Sequence, residues 1–223
     1  QDFVTIVDKY SLRDYREELL DLAIDEGPSE PGINAVRSLI SNEELDGLSL
    51  VREAIASGNE TSIILLDMLA PISTSASISL IRESITKTDL PPNIRRSAVV
   101  ALGKTWWGED VLLDLVRMDQ VADDIKPAAA SVLFSVYRAS IREEAARYLQ
   151  RPGMLDGNAI PPIRDLLAFR GEPAAGKPVF DIFCASCHRI GDEGVNFGPD
   201  LSLIGEKLSK EGLYQSIIYP SQG

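Results

Sequence analysis

From residue 10 to residue 150 the apolar side chains recur at helical spacing almost without interruption. Stripes run through 33–41, 47–56, 61–70, 76–86, 92–103, 109–117, 125–137 and 140–149. Tyr15, Leu19 and Leu22 carry the same period upstream, where Ser11 and Asp14 make a plausible N-terminal capping arrangement. Polar breaks such as Ser57-Gly58-Asn59 and Thr88-Asp89-Leu90-Pro91-Pro92 separate the stripes. No segment between them alternates with period two, so strands explain nothing here. The expected fold class is all-α.

Slid against itself by 31 residues, the chain superposes Ile63, Ile94 and Ile125, and likewise Ala70, Ala101 and Val132. In the alternate helices Leu50, Ile81 and Leu112 coincide, as do Ala54, Ile85 and Val116. A helix pair of this kind cannot cover its apolar face alone, and stacking on copies of itself covers it. The segments Pro92–Gly103 and Ile125–Leu133 resemble the first helices of HEAT repeats. Small Ala residues there allow close helix approach, and Arg95 or Lys126 is placed to cap or pair locally. The resemblance implies a HEAT-like α-solenoid of stacked helix pairs, with four units across 33–149 and a capping helix region over 1–30. The period is shorter than the roughly 40 residues usual for such repeats, so the loops must be tight. An irregular helical bundle is the alternative.

Charge narrows the function classes. The chain holds 22 Lys+Arg against 34 Asp+Glu, a net of −12, which argues against nucleic acid as a partner. Residues 1–150 hold 15 against 25, and residues 151–223 hold 7 against 9. No apolar run approaches the roughly 18–20 residues of a membrane span. Met68 and Met118 lie in apolar stripes and read as core. Trp106-Trp107 falls at a turn between two helices and reads as packing. The pairs Glu17-Glu18, Glu43-Glu44 and Asp123-Asp124 read as solvated faces or helix starts. There is no glycine-rich phosphate loop, and no serine, histidine and acid set that could spare the single histidine as a base.

From 151 the texture changes. Residues 151–158 form a turn-rich break, and Pro161-Pro162 starts a short helix through Ile163, Leu166, Leu167 and Phe169. Residues 171–176 make a second break that reads as a domain boundary. The expected organisation is a helical scaffold over 1–150, a linker with a short helix over 151–173, and a second domain over 174–223.

Both cysteines and the only histidine occur together as Cys184-Ala185-Ser186-Cys187-His188. C-x-x-C-H is the attachment pattern of c-type haem. Two thiols three positions apart, at the start of a helix, can each add to one porphyrin vinyl group. The adjacent imidazole is then held beneath the iron as its proximal ligand. A thioredoxin-like redox pair wants a βαβ context that is missing. A structural zinc site needs four ligands, and this cluster offers three. A disulfide between Cys184 and Cys187 stays open where haem is never inserted.

Residues 176–202 resemble the amino-terminal half of a class I cytochrome c. Gly176-Lys177-Pro178-Val179-Phe180 before Cys184 is similar to that family's opening helix, and Gly198-Pro199-Asp200-Leu201 is similar to its Gly-Pro-x-Leu segment. The resemblance implies that Phe180 packs in the haem domain. It also implies that the Pro199 carbonyl accepts a hydrogen bond from His188 Nδ1, which orients the ring and strengthens Nε2 as an iron donor. Gly191 and Gly194 would supply the turns between the two motifs. The wider string, ending Leu213-Tyr214-Gln215-Ser216-Ile217-Ile218-Tyr219-Pro220-Ser221, resembles a haem-binding domain of Planctomycetes and Verrucomicrobia. There it commonly follows HEAT-like helices, often with a propeller-type sugar dehydrogenase domain further upstream. Class I cytochromes take a methionine from beyond C-x-x-C-H as sixth ligand. Here Met68, Met118 and Met154 all precede it, and the chain stops 35 residues after His188. Met154, Lys207 and Lys210 are the minor substitutes. The distal half is expected in a continuation past Gly223. A targeting segment or longer upstream region is expected before Gln1.

The expected function is therefore electron transfer through haem c, with Cys184, Cys187, His188, Pro199 and Phe180 as cofactor-binding residues and His188 as the iron ligand. The protein would work in the periplasm or be otherwise exported, with a redox partner protein or a fused dehydrogenase domain. Two alternatives stand beside it. One is the C-terminal part of a larger sugar or alcohol dehydrogenase-type oxidoreductase, and the other is a HEAT-type interaction module without bound haem.

Overall fold

The structure is a computed structural model, and it describes every residue except 1, 152–153, 156–157, 186–187, 195–197 and 219–223. It is mostly helical. The N-terminal part contains α1 (Asp2–Lys9), α2 (Arg16–Glu26), α3 (Glu30–Ser41), α4 (Gly47–Ala56), α5 (Glu60–Ile72), α6 (Ser75–Thr86), α7 (Pro92–Gly103) and α8 (Trp106–Arg117). Then follow α9 (Lys126–Ser135), α10 (Ala139–Ala145), a hairpin of β1 (Met154–Leu155) and β2 (Asn158–Ala159), and α11 (Ile163–Leu166). The chain continues through α12 (Pro173–Phe183), a hairpin of β3 (Arg189–Ile190) and β4 (Glu193–Gly194), α13 (Ile204–Lys207) and α14 (Lys210–Ile218). Two compact units divide the chain, Gln1–Ile125 and Lys126–Gly223. Among the described residues no helix is long and apolar enough to cross a membrane.

In the first unit each helix from α2 to α8 packs on the next, and contact also skips one: α1 on α3, α3 on α5, α5 on α7, and α2 on α4, α4 on α6, α6 on α8. The positions that coincide at 31 residues face this packing. Ile63, Ile94, Ile125, Ala70, Ala101, Ile81, Leu112, Ile85 and Val116 are buried, while Leu50, Ala54 and Val132, at the ends of the series, are half-buried. Each fully buried Leu or Ile contributes about 1.5–3 kcal/mol by leaving water.

Local chemistry starts these helices. The Ser29 hydroxyl accepts from Gly32 N, the Asn59 side chain accepts from Thr61 N, and the Thr105 hydroxyl accepts from Gly108 N. Thr74 and Ser77 close a reciprocal capping box at α6. The Ser11–Asp14 arrangement does not form. Ser11 sits at φ 48°, a short 3-10 turn over Arg13–Tyr15 follows, and α2 begins without a side-chain cap.

Three further expectations change in this unit. Trp106 and Trp107, read as packing residues from their position at a turn, are the first two residues of α8 and are 67% and 71% exposed. Met118, expected in the core, is the C-terminal residue flanking α8 and is 60% exposed, whereas Met68 is fully buried. Asp124 is no mere solvated acid. Buried Arg95 donates to its two carboxylate oxygens at 3.1 and 2.5 Å and, through Nε, to Leu90 O at 3.1 Å. Arg96 adds a bond to the Asp124 carbonyl at 3.3 Å. The guanidinium of one helix thus ties the turn before it to a loop 29 residues later.

In the second unit α9 packs on α10 and α11 on α14. The second break is shorter than its composition suggests, because α12 starts at Pro173 and runs through Gly176 and Pro178. Proline suits the first helical turn, where its missing N–H has no partner to lose. Lys210, expected to be solvated, donates to the carbonyls of Leu167 and Phe169 at 3.1 and 2.7 Å, and so satisfies backbone acceptors just after α11.

Two stability predictions follow from the first unit. A Cβ on Gly108 would stand 2.0 Å from Leu102 O, whereas one on Gly171 would meet nothing within 4 Å. Gly108→Ala should cost about 1–3 kcal/mol in denaturant unfolding, and Gly171→Ala should stay within about 0.5 kcal/mol. Equal effects would contradict the tight α7–α8 approach. Asp124→Ala strands the Arg95 guanidinium and should cost about 2 kcal/mol, while Arg95→Met/Asp124→Ala should recover part of that loss. The same melts read both.

Candidate functional site

The site is assembled where α12 ends. Phe180 is half-buried on this helix, and its carbonyl accepts from Cys184 N at 2.8 Å and Ala185 N at 3.0 Å. Cys184 is the residue that caps α12, so the C-x-x-C-H string follows a helix end instead of opening a helix as expected. The Cys184 carbonyl in turn accepts from His188 N at 2.9 Å. Cys184 and His188 are both half-buried. Cys187 lies outside the described residues.

Beyond His188 the chain turns back through the β3–β4 hairpin, in which Arg189 pairs with Gly194 and Ile190 with Glu193. Gly191 and Gly194 adopt φ of 59° and 87°, a region that side-chain-bearing residues seldom occupy. Gly194 is constrained twice over, since a Cβ there would stand 2.2 Å from His188 O. Lys177 of α12 holds the hairpin from the other side, with Nζ 2.9 Å from Asp181 and 2.7 Å from Glu193. These hydrogen bonds, first that to Glu193, push the Lys177 ammonium above its ordinary pKa.

The returning segment then lies alongside. His188 Nδ1 is 2.8 Å from Pro199 O. A carbonyl only accepts, so Nδ1 carries the proton, and in the neutral ring this tautomer keeps the lone pair on Nε2. The next pairs keep the same offset of 11 residues: Arg189 reaches the Asp200 carboxylate at 2.9 and 3.2 Å, and Gly191 N donates to the Ser202 hydroxyl at 2.8 Å. Leu201 N donates to Arg189 O at 2.8 Å and Ser202 N to Asp200 Oδ1 at 2.8 Å. Hydrogen bonds from Ser202, and then the Arg189 guanidinium, hold the Asp200 carboxyl down to about 2.

The donor set suits a c-type haem. It comprises a thiol at Cys184, an imidazole whose Nε2 is available, and a carbonyl that fixes the ring. The surroundings suit it as well. Among the residues from 150 to 218 whose side chains the structure describes, which leave out 152–159 and 182, none is buried, and Val179, Phe183, Ile190, Leu203 and Ile217 are exposed apolar side chains. A stretch of this length with apolar side chains and no core of its own is the environment that a large apolar macrocycle completes.

Arg189 and Ser202 were not among the residues singled out by motif. The signal that reaches them is the offset: once His188 and Pro199 are paired, the next positions on both strands are a base facing an acid and a glycine facing a hydroxyl.

Comparison with known proteins agrees with this reading for the C-terminal quarter. Nothing among the curated proteins or the solved structures matches the chain. Residues 173–222 match the family described as Cytochrome c, which supports a c-type cytochrome and, with it, haem-dependent electron transfer.

Proposed function

We propose that this chain carries electrons through a haem c bound covalently by Cys184 and Cys187, with His188 as the iron's proximal ligand, on a HEAT-like helical-repeat scaffold. In this reading residues 1–150 are the scaffold, 151–173 the linker and 174–223 the amino-terminal part of a class I cytochrome c-like domain of the Planctomycete and Verrucomicrobium type. The single observation that carries it is the 2.8 Å contact of His188 Nδ1 with Pro199 O, directly after the cysteine pair. The skip-one contacts of the first unit, with the buried 31-residue positions, support the repeat scaffold.

When bound, the haem supplies one-electron cycling between ferrous and ferric iron. The chain's own residues do the rest. The two thiols hold the porphyrin, so that the imidazole need not retain it by coordination alone. His188 keeps its proton on Nδ1, donates it to Pro199 O, and presents Nε2 as the more basic for that bond. Phe180 and the exposed apolar side chains Val179 and Phe183 of α12 exclude water from the macrocycle. In this reading the protein works in the periplasm or is otherwise exported, and its partner is a redox protein or a fused dehydrogenase domain.

The test is a pyridine haemochrome spectrum of the chain matured in a host that exports and attaches c-type haem. A covalent c-type spectrum is expected, and Cys184→Ala/Cys187→Ala should abolish it; a wild-type chain without it refutes the reading. A second measurement follows from the exposed apolar side chains of this segment. In the haem-free double variant, amides of 173–218 should exchange within minutes while those of Val51, Leu65 and Leu102 stay protected. Equal protection of 173–218 in both forms would show that this segment needs no macrocycle.

A further inference from the structure

We propose that Arg189, Asp200 and Ser202 form a clasp that keeps the His188–Pro199 hydrogen bond closed, which makes them positioning residues for the proximal imidazole. The inference rests on the haem reading above for its effect on the iron, but its geometry belongs to the chain itself.

The segments 188–191 and 199–202 are joined at a constant offset of 11 residues, His188 to Pro199, Arg189 to Asp200 and Gly191 to Ser202. With Leu201 N on Arg189 O, the ladder engages His188, Arg189 and Gly191 on one side and each residue from 199 to 202 on the other. The imidazole–carbonyl bond is its first rung. Nothing else described holds Pro199 O at that distance: Pro199 has no N–H, is exposed, and sits in a segment with no buried residue. A side-chain ion pair at this exposure is worth little by itself. Here its role is register. Asp200 is held by Arg189 across the ladder and by Ser202 N along its own strand, so the carboxylate cannot leave without releasing both. Ser202 is held in turn by Gly191 N. Gly194, which allows no side chain against His188 O, closes the other side of the same backbone.

Field and clasp can be separated by sign. Opening the hydrogen bond makes Nε2 a poorer donor, disfavours ferric iron and raises the potential. Removing the Arg189 charge lowers the potential if only the field acts, and Ser202→Ala changes no charge at all.

The test uses the haem-loaded chain, with loading read from the haemochrome, and compares wild type with Arg189→Gln and Ser202→Ala. Both variants should raise the midpoint potential, and exchange of the His188 Nδ1 proton, followed by NMR in the ferrous state, should quicken by about tenfold, the factor expected for loss of one hydrogen bond. A lowered potential in Arg189→Gln together with an unchanged one in Ser202→Ala would reduce the pair to a field effect and overturn the clasp. Unchanged Nδ1 exchange in both variants would overturn it as well. A wild-type chain that takes no haem defeats the haem reading instead, and the clasp is then judged in the haem-free chain from the 15N shifts of His188. A ring held as the Nδ1–H tautomer in wild type and released in Ser202→Ala supports it, and identical tautomer populations refute it.

Discussion

A helix of ten to thirteen residues does not hold itself together in water, because nucleating it costs more than its few hydrogen bonds return. Helices α3 to α8 are of this length, and each depends on the neighbours that cover its apolar face. This dependence shapes the first unit. It explains why the buried residues include not only Leu and Ile but Ala35, Ala98 and Ala101, small side chains that let backbones approach. It also explains why the first turn of α8 tolerates nothing larger than glycine at position 108, where the preceding helix's Leu102 carbonyl is already in the space. Buried Arg95 belongs to the same logic. A guanidinium within a packed layer is acceptable only where Leu90 O and Asp124 satisfy its donors, so the ion pair fixes where the next loop passes.

The C-terminal segment is held by other forces. From 150 onwards no residue whose side chain is described is buried, and directed polar contacts recur: Lys177 to the hairpin, Lys210 to the end of α11, and the ladder between 188–191 and 199–202. Such contacts fix register well but contribute little net stability in water. The two parts of the chain thus differ in emphasis, burial supplemented by a few polar ties such as Arg95–Asp124 in the first and polar contacts at exposed or half-buried residues around the candidate site. The second emphasis makes sense if most of the apolar contact is to be supplied by the cofactor, since the polar network then sets the geometry in which that contact is made.

Much of this was legible in the sequence, and the exceptions share a cause. The stripes at 33–41, 47–56, 61–70, 76–86 and 92–103 correspond to α3 to α7, because a helix buried between neighbours must repeat its apolar residues at 3.6. Residues at the margins of a stripe were harder. Trp106, Trp107 and Met118 are apolar but lie at helix ends, where the period no longer determines which side faces inward. Asp124 and Lys210 looked solvated because charge alone says nothing of a partner 29 or 43 residues away. At the site, the five-residue string drew attention to Cys184, Cys187 and His188 by composition alone. Arg189 and Ser202 are common residue types with no motif of their own, and only the pairing of the two strands gives them a role. The break at 171–176 misled because Gly and Pro signal turns, although proline in a first turn begins a helix as readily as it ends one.

Charge divides the molecule between its two compact units. The unit Gln1–Ile125 holds 11 Lys+Arg against 23 Asp+Glu, and Lys126–Gly223 holds 11 against 11, so the whole net charge of −12 resides in the first unit. A field of that kind does not discriminate between partners at contact distance, but over a Debye length of about 8 Å it biases which basic surfaces arrive and how they are turned. The neutral unit makes a different contribution. Around the candidate site its charges pair with one another, Lys177 with Asp181 and Glu193, and Arg189 with Asp200. On the proposed function, the consequence is a division of labour in which the acidic scaffold sets the rate of encounter while the neutral segment sets the reactivity of the iron. Substitutions on the scaffold surface would then change salt dependence and leave the potential alone, and substitutions along the ladder would do the reverse.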